Sequence, residues 1–391
     1  MPTGFDVIVI GAGIMGCSSA FQLAGRGMKV GVFDKRGLGA GSTGKSSAII
    51  RQHYSNEVTA RMALHSLRVF QNFGDAVGGE AGFRRAGFLV LTAEKDVEGL
   101  RANVALQQRV GIKTDILSEA EVRRRWPFLK TNDLVAAAHE PDSGYADPNL
   151  TTGSYANAAQ AKGAEFLLDT EVIGLQLRSG KVRGVTTSSG TFEAPVVVNC
   201  AGPWGARVAR WAGIEVPISS CRVQVAFFRR PDDYADEHPV VADFTTASYW
   251  RPETGGLTLV GLIDPSELNH VVDPDSYNER VELDFVADAG DRLVRRFPAM
   301  ENSASASGYA GLYAITPDWH PVIDELIEGS GFYLCSGFSG HGFKLGPAVG
   351  SMVADMVSGA ITPGMDRRLF RLNRFAENEP VRGRYEYSIA G

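Results

Sequence analysis

The chain has 391 residues, and this length predicts two or three domains. Hydrophobic residues make up 44% and charged residues 21%, which is ordinary for a globular protein and excludes a chain disordered throughout. The 39 lysines and arginines against 45 aspartates and glutamates give a net charge of −6, so the composition does not indicate a nucleic-acid partner. Four cysteines without a C-x-x-C pair favour neither a disulfide framework nor structural zinc, and we predict no metal site.

The N-terminus lacks the basic start of a signal peptide, and no run reaches the ~18 apolar residues of a membrane span. We therefore expect a cytoplasmic protein that does not enter a membrane. Glycine is in excess, at 45 residues, and it is clustered rather than periodic. The clusters indicate places where the backbone approaches a ligand closely.

The first glycine cluster follows the apolar run Phe5–Ile10, which is typical of a buried parallel strand. Residues 11–16 read Gly-Ala-Gly-Ile-Met-Gly; a helix-like stretch (Cys17–Leu23), a second strand (Lys29–Phe33) and Asp34 follow. This G-x-G-x-x-G context is the fingerprint of a dinucleotide-binding βαβ unit. The first glycine would allow the tight turn, the second would allow a pyrophosphate to approach the backbone, and the third would allow close packing of helix and strand. The carboxylate at the end of the second strand would accept hydrogen bonds from the ribose hydroxyls. A glycine-rich turn in another α/β protein is the alternative.

A second loop rich in glycine and serine, residues 37–47, leads into the apolar run 48–50 and Arg51. Small residues let a loop lie against a large planar cofactor, and its hydroxyls and N–H groups can satisfy phosphates and ring edges. The first motif does not distinguish FAD from NAD, whereas this second loop favours FAD. A disordered linker is the alternative, and the apolar run that follows disfavours it.

Three further segments carry a resemblance to a known family. They are Val196–Trp204 (VVVNCAGPW), Gly311–Asp324 and Ser336–Pro347 (SGFSGHGFKLGP). Together with the N-terminal fingerprint and Ile49-Ile50-Arg51, they resemble the D-amino-acid-oxidase-type FAD-dependent oxidoreductases. Within these, the chain is most similar to the group of sarcosine oxidase, dimethylglycine dehydrogenase and glycine oxidase. The resemblance extends along nearly the whole chain.

The resemblance implies an α/β fold (α+β overall). A Rossmann-like FAD-binding domain of the glutathione-reductase type would be joined to a second, mainly antiparallel β-sheet substrate domain. The FAD-binding domain would be discontinuous and comprise residues 1–81, 150–220 and 310–391. The substrate-binding domain would comprise residues 82–149 and 221–309.

Local patterns agree with this division. Alternating apolar runs predict antiparallel strands at Gly87–Leu91, Val223–Phe228 and Leu257–Ile263. Near the C-terminus the pattern predicts a strand at Gly331–Ser336 and a helix at Leu345–Val357. The resemblance places the N-terminus of that helix near the flavin, where its positive end would stabilise the anionic reduced ring.

The resemblance places FAD against residues from all of these motifs. From the first part of the chain, the expected cofactor-binding residues are Gly11, Ala12, Gly13, Ile14, Met15, Gly16, Asp34, Lys35, Gly41, Ser42, Thr43, Ser46 and Ser47. From the rest of the chain, they are Val172, Ala201, Gly202, Trp204, Gly311, Gly337, Gly340, His341, Gly342, Phe343 and Lys344. Monomeric sarcosine oxidases attach the flavin to a cysteine at the position matching Gly311, so we expect FAD to be bound non-covalently here.

The group oxidises a C–H bond next to an amine nitrogen by hydride transfer to flavin N5, and water hydrolyses the resulting imine. Arg51 and Lys344 match the positions where the family places carboxylate ligands, and Tyr249 matches a tyrosine that contacts substrate in sarcosine oxidases. His53 follows Arg51 and is expected in the same cavity. The alternatives are a structural ion pair for Arg51, a surface position for Lys344, a core aromatic for Tyr249 and a structural imidazole for His53.

The implied substrate is an amino acid or secondary amine, most simply an N-substituted glycine bearing a carboxylate. Oxygen would be the electron acceptor and hydrogen peroxide the product. Sarcosine oxidases carry a lysine near the flavin that promotes reaction with oxygen, whereas Thr258 stands at about that place here, so the acceptor is left open. A dehydrogenase that passes electrons to a partner protein, a primary amino-acid oxidase and a non-catalytic flavin-binding scaffold are the alternatives.

Overall fold

The computed structural model describes residues 4–232, 234, 237–263 and 270–385. Its first ten strands are β1 (Val7–Ile10), β2 (Val30–Phe33), β3 (Ile49–Ile50), β4 (Phe88–Thr92), β5 (Asp115–Ser118), β6 (Ala136–Glu140), β7 (Gly144–Tyr145), β8 (Glu165–Leu167), β9 (Val172–Arg178) and β10 (Lys181–Thr187). The later strands are β11 (Gly190–Glu193), β12 (Val196–Asn199), β13 (Ser219–Arg229), β14 (Val240–Asp243), β15 (Ser248–Glu253), β16 (Leu257–Leu262), β17 (Ala304–Ile315), β18 (Val322–Glu325) and β19 (Phe332–Ser336). The α-helices are α1 (Ile14–Ala24), α2 (Glu57–Gln71), α3 (Phe73–Ala76), α4 (Val97–Val110), α5 (Glu119–Arg125), α6 (Pro148–Ala161), α7 (Gly205–Arg210), α8 (Leu283–Arg296) and α9 (Gly346–Val357).

A six-stranded sheet in the order β18-β19-β12-β1-β2-β8 forms one half of the molecule. Its strands are parallel except for the antiparallel β18–β19 pair. Val7 and Val9 of β1 pack with helices α1, α6 and α9, whereas Ile8 and Ile10 pack with the three-stranded sheet β11-β10-β9 on the opposite face. Because both faces are covered, β1 is a continuous apolar run, as the sequence predicts.

The first glycine motif joins β1 to α1. Gly11 has a φ of +105°, which favours glycine, and a Cβ on Gly16 would lie 1.9 Å from the Gly11 carbonyl oxygen. These contacts explain the first and third glycines of the motif. Helix α1 begins at Ile14, three residues before the predicted start, because Gly13 is its N-cap.

An eight-stranded sheet in the order β17-β13-β16-β15-β14-β4-β6-β5 forms the other half. Its neighbouring strands are antiparallel except for the parallel pair β14–β4. Residues from one face, such as Trp250 and Val260, pack with helix α8 in one core. Residues from the other face, such as Val90 and Tyr249, form a separate cluster toward the first sheet. The predicted mainly antiparallel sheet is confirmed.

The two sheets draw on separate parts of the chain, in the pattern that the resemblance implies. Strand β13 runs through the predicted boundary at 220/221, and strand β17 runs through the one at 309/310. Both strands belong to the eight-stranded sheet along their whole length, and the stated domain limits stay a proposal. Within the described residues, no helix is long and apolar enough to cross a membrane.

Candidate active site

A deep cleft lies between the two sheets, and nearly all of the predicted site residues line it. The predicted cofactor-binding residues in its wall are Gly11, Gly13, Ile14, Met15, Asp34, Lys35, Gly41, Ser42, Thr43, Ser46, Ser47, Val172, Ala201, Gly202, Trp204, Gly311, Gly337, Gly340, His341, Gly342, Phe343 and Lys344. Arg51, His53 and Tyr249 line the same cleft. Loops that are far apart in sequence therefore converge on one cavity.

Two predicted cofactor residues lie outside this lining. Ala12 is fully buried, and its N–H donates to Asp34 Oδ2 at 2.7 Å. Gly16 is buried inside α1 and packs against the Gly11 carbonyl group. Ala12 supports the glycine turn from beneath, and Gly16 packs α1 closely against the end of β1, as the motif predicts. That these two residues contribute to FAD binding stays a prediction.

Asp34 lies at one end of the cleft, where β2 ends. Its Oδ1 accepts the N–H of Arg36 at 2.8 Å and its Oδ2 accepts that of Ala12, so the carboxylate is held at the edge of the glycine turn. Burial raises the pKa of Asp34, although the two N–H groups favour its charged form. Beside it, Lys35 Nζ lies 4.3 Å from the centre of the Trp204 ring. This end offers a carboxylate and an aromatic face, which suit a ribose and a planar base.

The N-terminus of α1 faces the middle of the cleft. Its first turn holds no acidic side chain, so nothing there neutralises the positive end of the helix dipole. Thr43 Oγ1 accepts the N–H of Ile14 at 3.1 Å, which fixes the glycine–serine loop against the helix. The neighbouring Ser42 Oγ is buried without a hydrogen-bond partner among the described residues. A diphosphate fits this combination, so the residues present fit the FAD that the sequence predicts.

The C-terminal glycine motif closes the other end. Gly340 has a φ of +82°, and a Cβ there would lie 2.4 Å from the ring of Tyr313. The loop is tied to β17, because Ser339 donates its N–H to the Ala314 carbonyl oxygen at 2.8 Å. A short 3-10 turn, Phe343–Leu345, then leads into α9. Lys344 lies in that turn, where its side chain is directed into buried space instead of solvent.

A chain of contacts joins Arg51 to Lys344. The Arg51 guanidinium lies 4.5 Å from the centre of the Tyr54 ring, and Tyr54 Oη is 3.3 Å from His341 Nδ1. Lys344 Nζ donates to the His341 carbonyl oxygen at 3.3 Å. Both cations are buried, with relative exposures of 8% for Arg51 and 6% for Lys344. The structure thus brings together two positive groups that are almost 300 residues apart.

The environment of Lys344 is electrostatically unfavourable for its ammonium without an anion. Burial, followed by the nearby charge of Arg51, lowers the pKa of Lys344 well below its ordinary value. Among the described residues, no carboxylate lies within ion-pair distance of Lys344 Nζ. An anionic ligand would restore the charged form of this lysine, because it offsets both causes of the shift.

His341 is held in its neutral form between two neighbours. Its Nε2 lies 2.7 Å from the Trp319 carbonyl oxygen, so this nitrogen carries the proton and Nδ1 accepts from Tyr54. Burial and the charge of Lys344 lower the pKa of His341 well below its ordinary value. His341 thus contacts Tyr54 through its ring and Lys344 through its carbonyl oxygen.

His53 lines the cleft beside a buried carboxylate that the sequence reading missed. His53 Nδ1 is 3.8 Å from Glu140 Oε1, and its Nε2 is 2.8 Å from the hydroxyl oxygen of Tyr385. Burial and the charge of Arg51 lower the pKa of His53 to about 3, while burial raises the pKa of Glu140 to about 7. Glu140 ends a buried strand just before a Pro-Asp-Ser-Gly turn, a signal that could have marked it. Nothing in the sequence pointed to Tyr385.

Tyr249 reaches across the eight-stranded sheet. Its hydroxyl oxygen is 2.9 Å from Ser47 Oγ, and its ring covers Gly261, where a Cβ would lie 2.3 Å from Tyr249 Cζ. Burial raises the pKa of Tyr249, so the phenol is neutral. Tyr249 therefore links the glycine–serine loop to the sheet.

Thr258, which was expected near the flavin at the position of the oxygen-promoting lysine, does not line the cleft. Thr258 is fully buried, and its Oγ1 is 2.9 Å from His238 Nε2, away from the cleft lining. The placement of Thr258 near the flavin was therefore wrong, whereas the identity of the electron acceptor stays open. Lys45 does line the cleft, and its Cβ lies 3.2 Å from where a Cβ of Gly311 would be. Its Nζ binds Glu279 at 2.6 Å and Tyr277 Oη at 3.0 Å.

Comparison with known proteins identifies the family. The family model described as "DAO: FAD dependent oxidoreductase" matches residues 6–356. Human mitochondrial sarcosine dehydrogenase is 27% identical over 96% of this chain, which spans 42% of that protein's length. Monomeric sarcosine oxidase of Bacillus sp. (strain B-0618) is 25% identical, over 97% of this chain and 99% of its own.

A solved structure agrees along the whole chain. The crystal structure of L-proline dehydrogenase from P. horikoshii matches with a TM-score of 0.89 and 29% identity, over 97% of this chain and 100% of its own. The chain belongs to the DAO family of FAD-dependent oxidoreductases.

Proposed function

We propose that this protein oxidises an amine that bears a carboxylate, most simply an N-substituted glycine, at the carbon next to the nitrogen. FAD would be held non-covalently in the cleft and, when bound, supplies the hydride acceptor. The imine product would be hydrolysed by water to an amine and a carbonyl compound. The names of the relatives, which act on sarcosine and proline, support this class of substrate.

The observation that carries the proposal is the buried pair of cations, Arg51 and Lys344, in the same cleft as the dinucleotide cradle. A lysine ammonium buried beside a guanidinium, as Lys344 is, is unfavourable unless an anion joins it. A guanidinium can bind a carboxylate through two parallel hydrogen bonds, and an ammonium adds a point charge. Together they would fix the carboxylate end of the substrate and so direct its α-carbon into the cleft.

The surrounding residues would orient the substrate without adding a charge near its nitrogen. The imidazole of His53 is neutral at pH 7 because its pKa lies near 3, and the phenol of Tyr249 is neutral as well. A neutral wall favours binding of the uncharged amine, which is the form that can give up hydride. Exclusion of water from this buried space would strengthen the contacts of both cations with the carboxylate.

Gly311 supports non-covalent binding of FAD. This residue lies over the side chain of Lys45 and offers no thiol, whereas Cys335 also lines the cleft from β19. Burial and the neighbouring Cys200 raise the pKa of Cys335 well above its ordinary value, which leaves a thiol of low reactivity. We therefore expect the flavin to be released when the protein is denatured.

The electron acceptor has two candidates. The proposal takes oxygen, with hydrogen peroxide as product. The second candidate is a dehydrogenase that passes electrons to a partner protein, and the similarity to proteins named sarcosine dehydrogenase and L-proline dehydrogenase favours it. A primary amino-acid oxidase would use the same cation pair, and a non-catalytic scaffold would have no need of it.

The test is anaerobic mixing of the holoprotein with N-alkylglycines, primary amino acids and simple amines, followed by admission of oxygen. We expect N-alkylglycines to bleach the flavin, and oxygen to restore the colour with release of hydrogen peroxide. Bleaching that oxygen does not reverse rapidly would favour the dehydrogenase. Bleaching by no amine would contradict the proposal.

Arg51→Ala supplies the matched test of the site. We expect it to lower kcat/KM for carboxylate-bearing amines by about 100-fold, because a charge-assisted contact of this kind is worth roughly 1.5–3 kcal/mol. Arg101→Ala, at an exposed position of α4, is the control. Equal kinetics of the two variants would remove Arg51 from the site.

A further inference from the structure

One wall of the cleft is a continuous apolar face built by strand register. Cross-strand pairing places one residue from each of six adjacent strands in a single row. The row runs Val90, Ala242, Tyr249, Gly261, Val225 and Tyr309. Side chains directly opposite each other in a sheet point to the same face. All members of the row except Gly261 line the cleft.

The side chains of this row differ in how far they extend into the cleft. In the middle of the row, the ring of Tyr249 lies down over Gly261, and its hydroxyl oxygen lies 2.9 Å from Ser47 Oγ. At the β4–β14 end the row consists only of the small side chains Val90 and Ala242. Phe88, Phe244 and Ile263 line the cleft around that end. The result is a shallow apolar recess, which we define by Phe88, Val90, Ala242, Phe244 and Ile263.

The recess contains no charge and no hydrogen-bonding side chain among its described residues. The charged residues of the cleft lie on other elements: Arg51 and Lys344 in the cation pair, Lys45 in the glycine–serine loop and the rest toward the Asp34 end. A charged or carboxylate group placed in the recess would lose its hydration and gain no partner. A hydrocarbon group would gain free energy from the apolar surface that it covers.

Ring contacts connect the recess to the cation pair. The ring of Tyr385 stacks on His53 at 5.8 Å between centroids and meets Phe244 edge-on at 4.9 Å. His53 is two residues from Arg51, whose Nη1 donates to the His53 carbonyl oxygen. His53 and Phe244, which both line the cleft, therefore flank the same tyrosine ring, so the recess and the cation pair belong to neighbouring parts of the cleft wall.

We infer that the substrate carries an uncharged hydrocarbon substituent on its nitrogen or α-carbon, and that Val90, Ala242 and Phe244 determine its size. This inference rests on the proposed function and adds the chemical class of the second substituent. It separates this chain's substrate from diacids such as N-(carboxymethyl)glycine. It also predicts that the methyl group of N-methylglycine leaves part of the recess unfilled.

The experiment measures anaerobic flavin reduction by N-methyl-, N-ethyl- and N-propylglycine and by N-(carboxymethyl)glycine. We expect kcat/KM to rise about fourfold for each added methylene group, the factor that corresponds to ~0.8 kcal/mol per buried CH2. The diacid should react more slowly than N-propylglycine. Reduction by all four compounds with no gain from methyl to propyl would overturn the inference and leave the proposed function intact. Reduction by none of them would overturn the proposed function itself.

Two variants locate the effect. Ala242→Leu should fill the recess and lower the propyl-to-methyl ratio of kcat/KM about tenfold, whereas Val90→Ala should enlarge it and raise that ratio. Ala105→Leu, the same substitution at an exposed position of α4, is the control and should keep the wild-type ratio. A propyl-to-methyl ratio that neither recess variant changes would overturn the assignment of the recess. Flavin content reports folding of each variant.

Discussion

Replacement of the buried carboxyl group behind the cleft should change how stability depends on pH. Glu140 is fully buried, and its Oε2 accepts the N–H of Gln52 at 2.8 Å and the hydroxyl of Ser143 at 2.7 Å. Its Oε1 faces His53 and has no hydrogen-bond partner among the described residues. Glu140→Gln keeps the shape and one acceptor oxygen, so the variant removes the titration and little else.

The size of the effect follows from the pKa. Burial, partly offset by these hydrogen bonds and by Arg51, raises the pKa of Glu140 from 4.5 to about 7. Because the raised value belongs to the folded state, its stabilising contribution is fully present below pH 4.5 and is lost as the pH rises through about 7. A shift of this size corresponds to about 3 kcal/mol. His53 works in the opposite direction, with its pKa lowered to about 3, but it is present in both proteins and cancels in the comparison.

The assay is urea unfolding of the wild type and Glu140→Gln at pH 5 and pH 8. The variant should gain up to about 3 kcal/mol in free energy of unfolding, relative to the wild type, between the two pH values. Glu98→Gln, at an exposed position of α4, should show no such gain. A difference between Glu140→Gln and wild type that is the same at both pH values would refute the reasoning.

Three further predictions concern the site and its supports. Lys344→Met should raise the KM for a carboxylate-bearing amine roughly 10- to 100-fold, because a charge-assisted hydrogen bond is lost, while FAD stays bound. An unchanged KM in steady-state kinetics would exclude the lysine from substrate binding. Arg374→Ala should cost about 3–5 kcal/mol in urea unfolding, since Arg374 is fully buried and binds Asp318 at 2.7 Å. Arg371→Ala, at a more exposed pair, should cost much less, and equal costs would be inconsistent with this account. Acid precipitation should leave the yellow colour in the supernatant, and a yellow pellet would show a covalent flavin.

Much of the cofactor half could be predicted from the sequence, because its signals are local. A strand, a glycine turn, a helix and a terminal carboxylate follow one another within 30 residues, and the structure places Asp34 against the turn as that pattern implies. Helix and strand limits were off by up to four residues at the start of β13 and by three residues at the start of α1. Hydrophobic pattern alone does not show that a glycine can cap a helix.

The substrate side was harder to predict because its contacts are long-range. Glu140 lies at the end of β6, and its position beside His53 depends on the pairing of β6 with β4, which no local pattern encodes. Tyr385, which contacts His53 Nε2, is more than 300 residues away in the sequence. The prediction that Thr258 lies near the flavin failed for a related reason, because alternate residues of a strand face opposite sides of a sheet. A shift of one residue in an assumed alignment moves a side chain out of the cleft.

The most direct test compares flavin reduction by an N-alkylglycine with reduction by the same amine lacking the carboxylate. Anaerobic rates are measured for N-methylglycine and dimethylamine, each with the wild type and with Arg51→Ala. The cation pair predicts that N-methylglycine reduces the wild-type flavin at least about 100-fold more efficiently than dimethylamine, and that most of this advantage disappears in Arg51→Ala. Equal reduction of the wild type by the two amines would contradict the claim that Arg51 and Lys344 bind the carboxylate of the substrate.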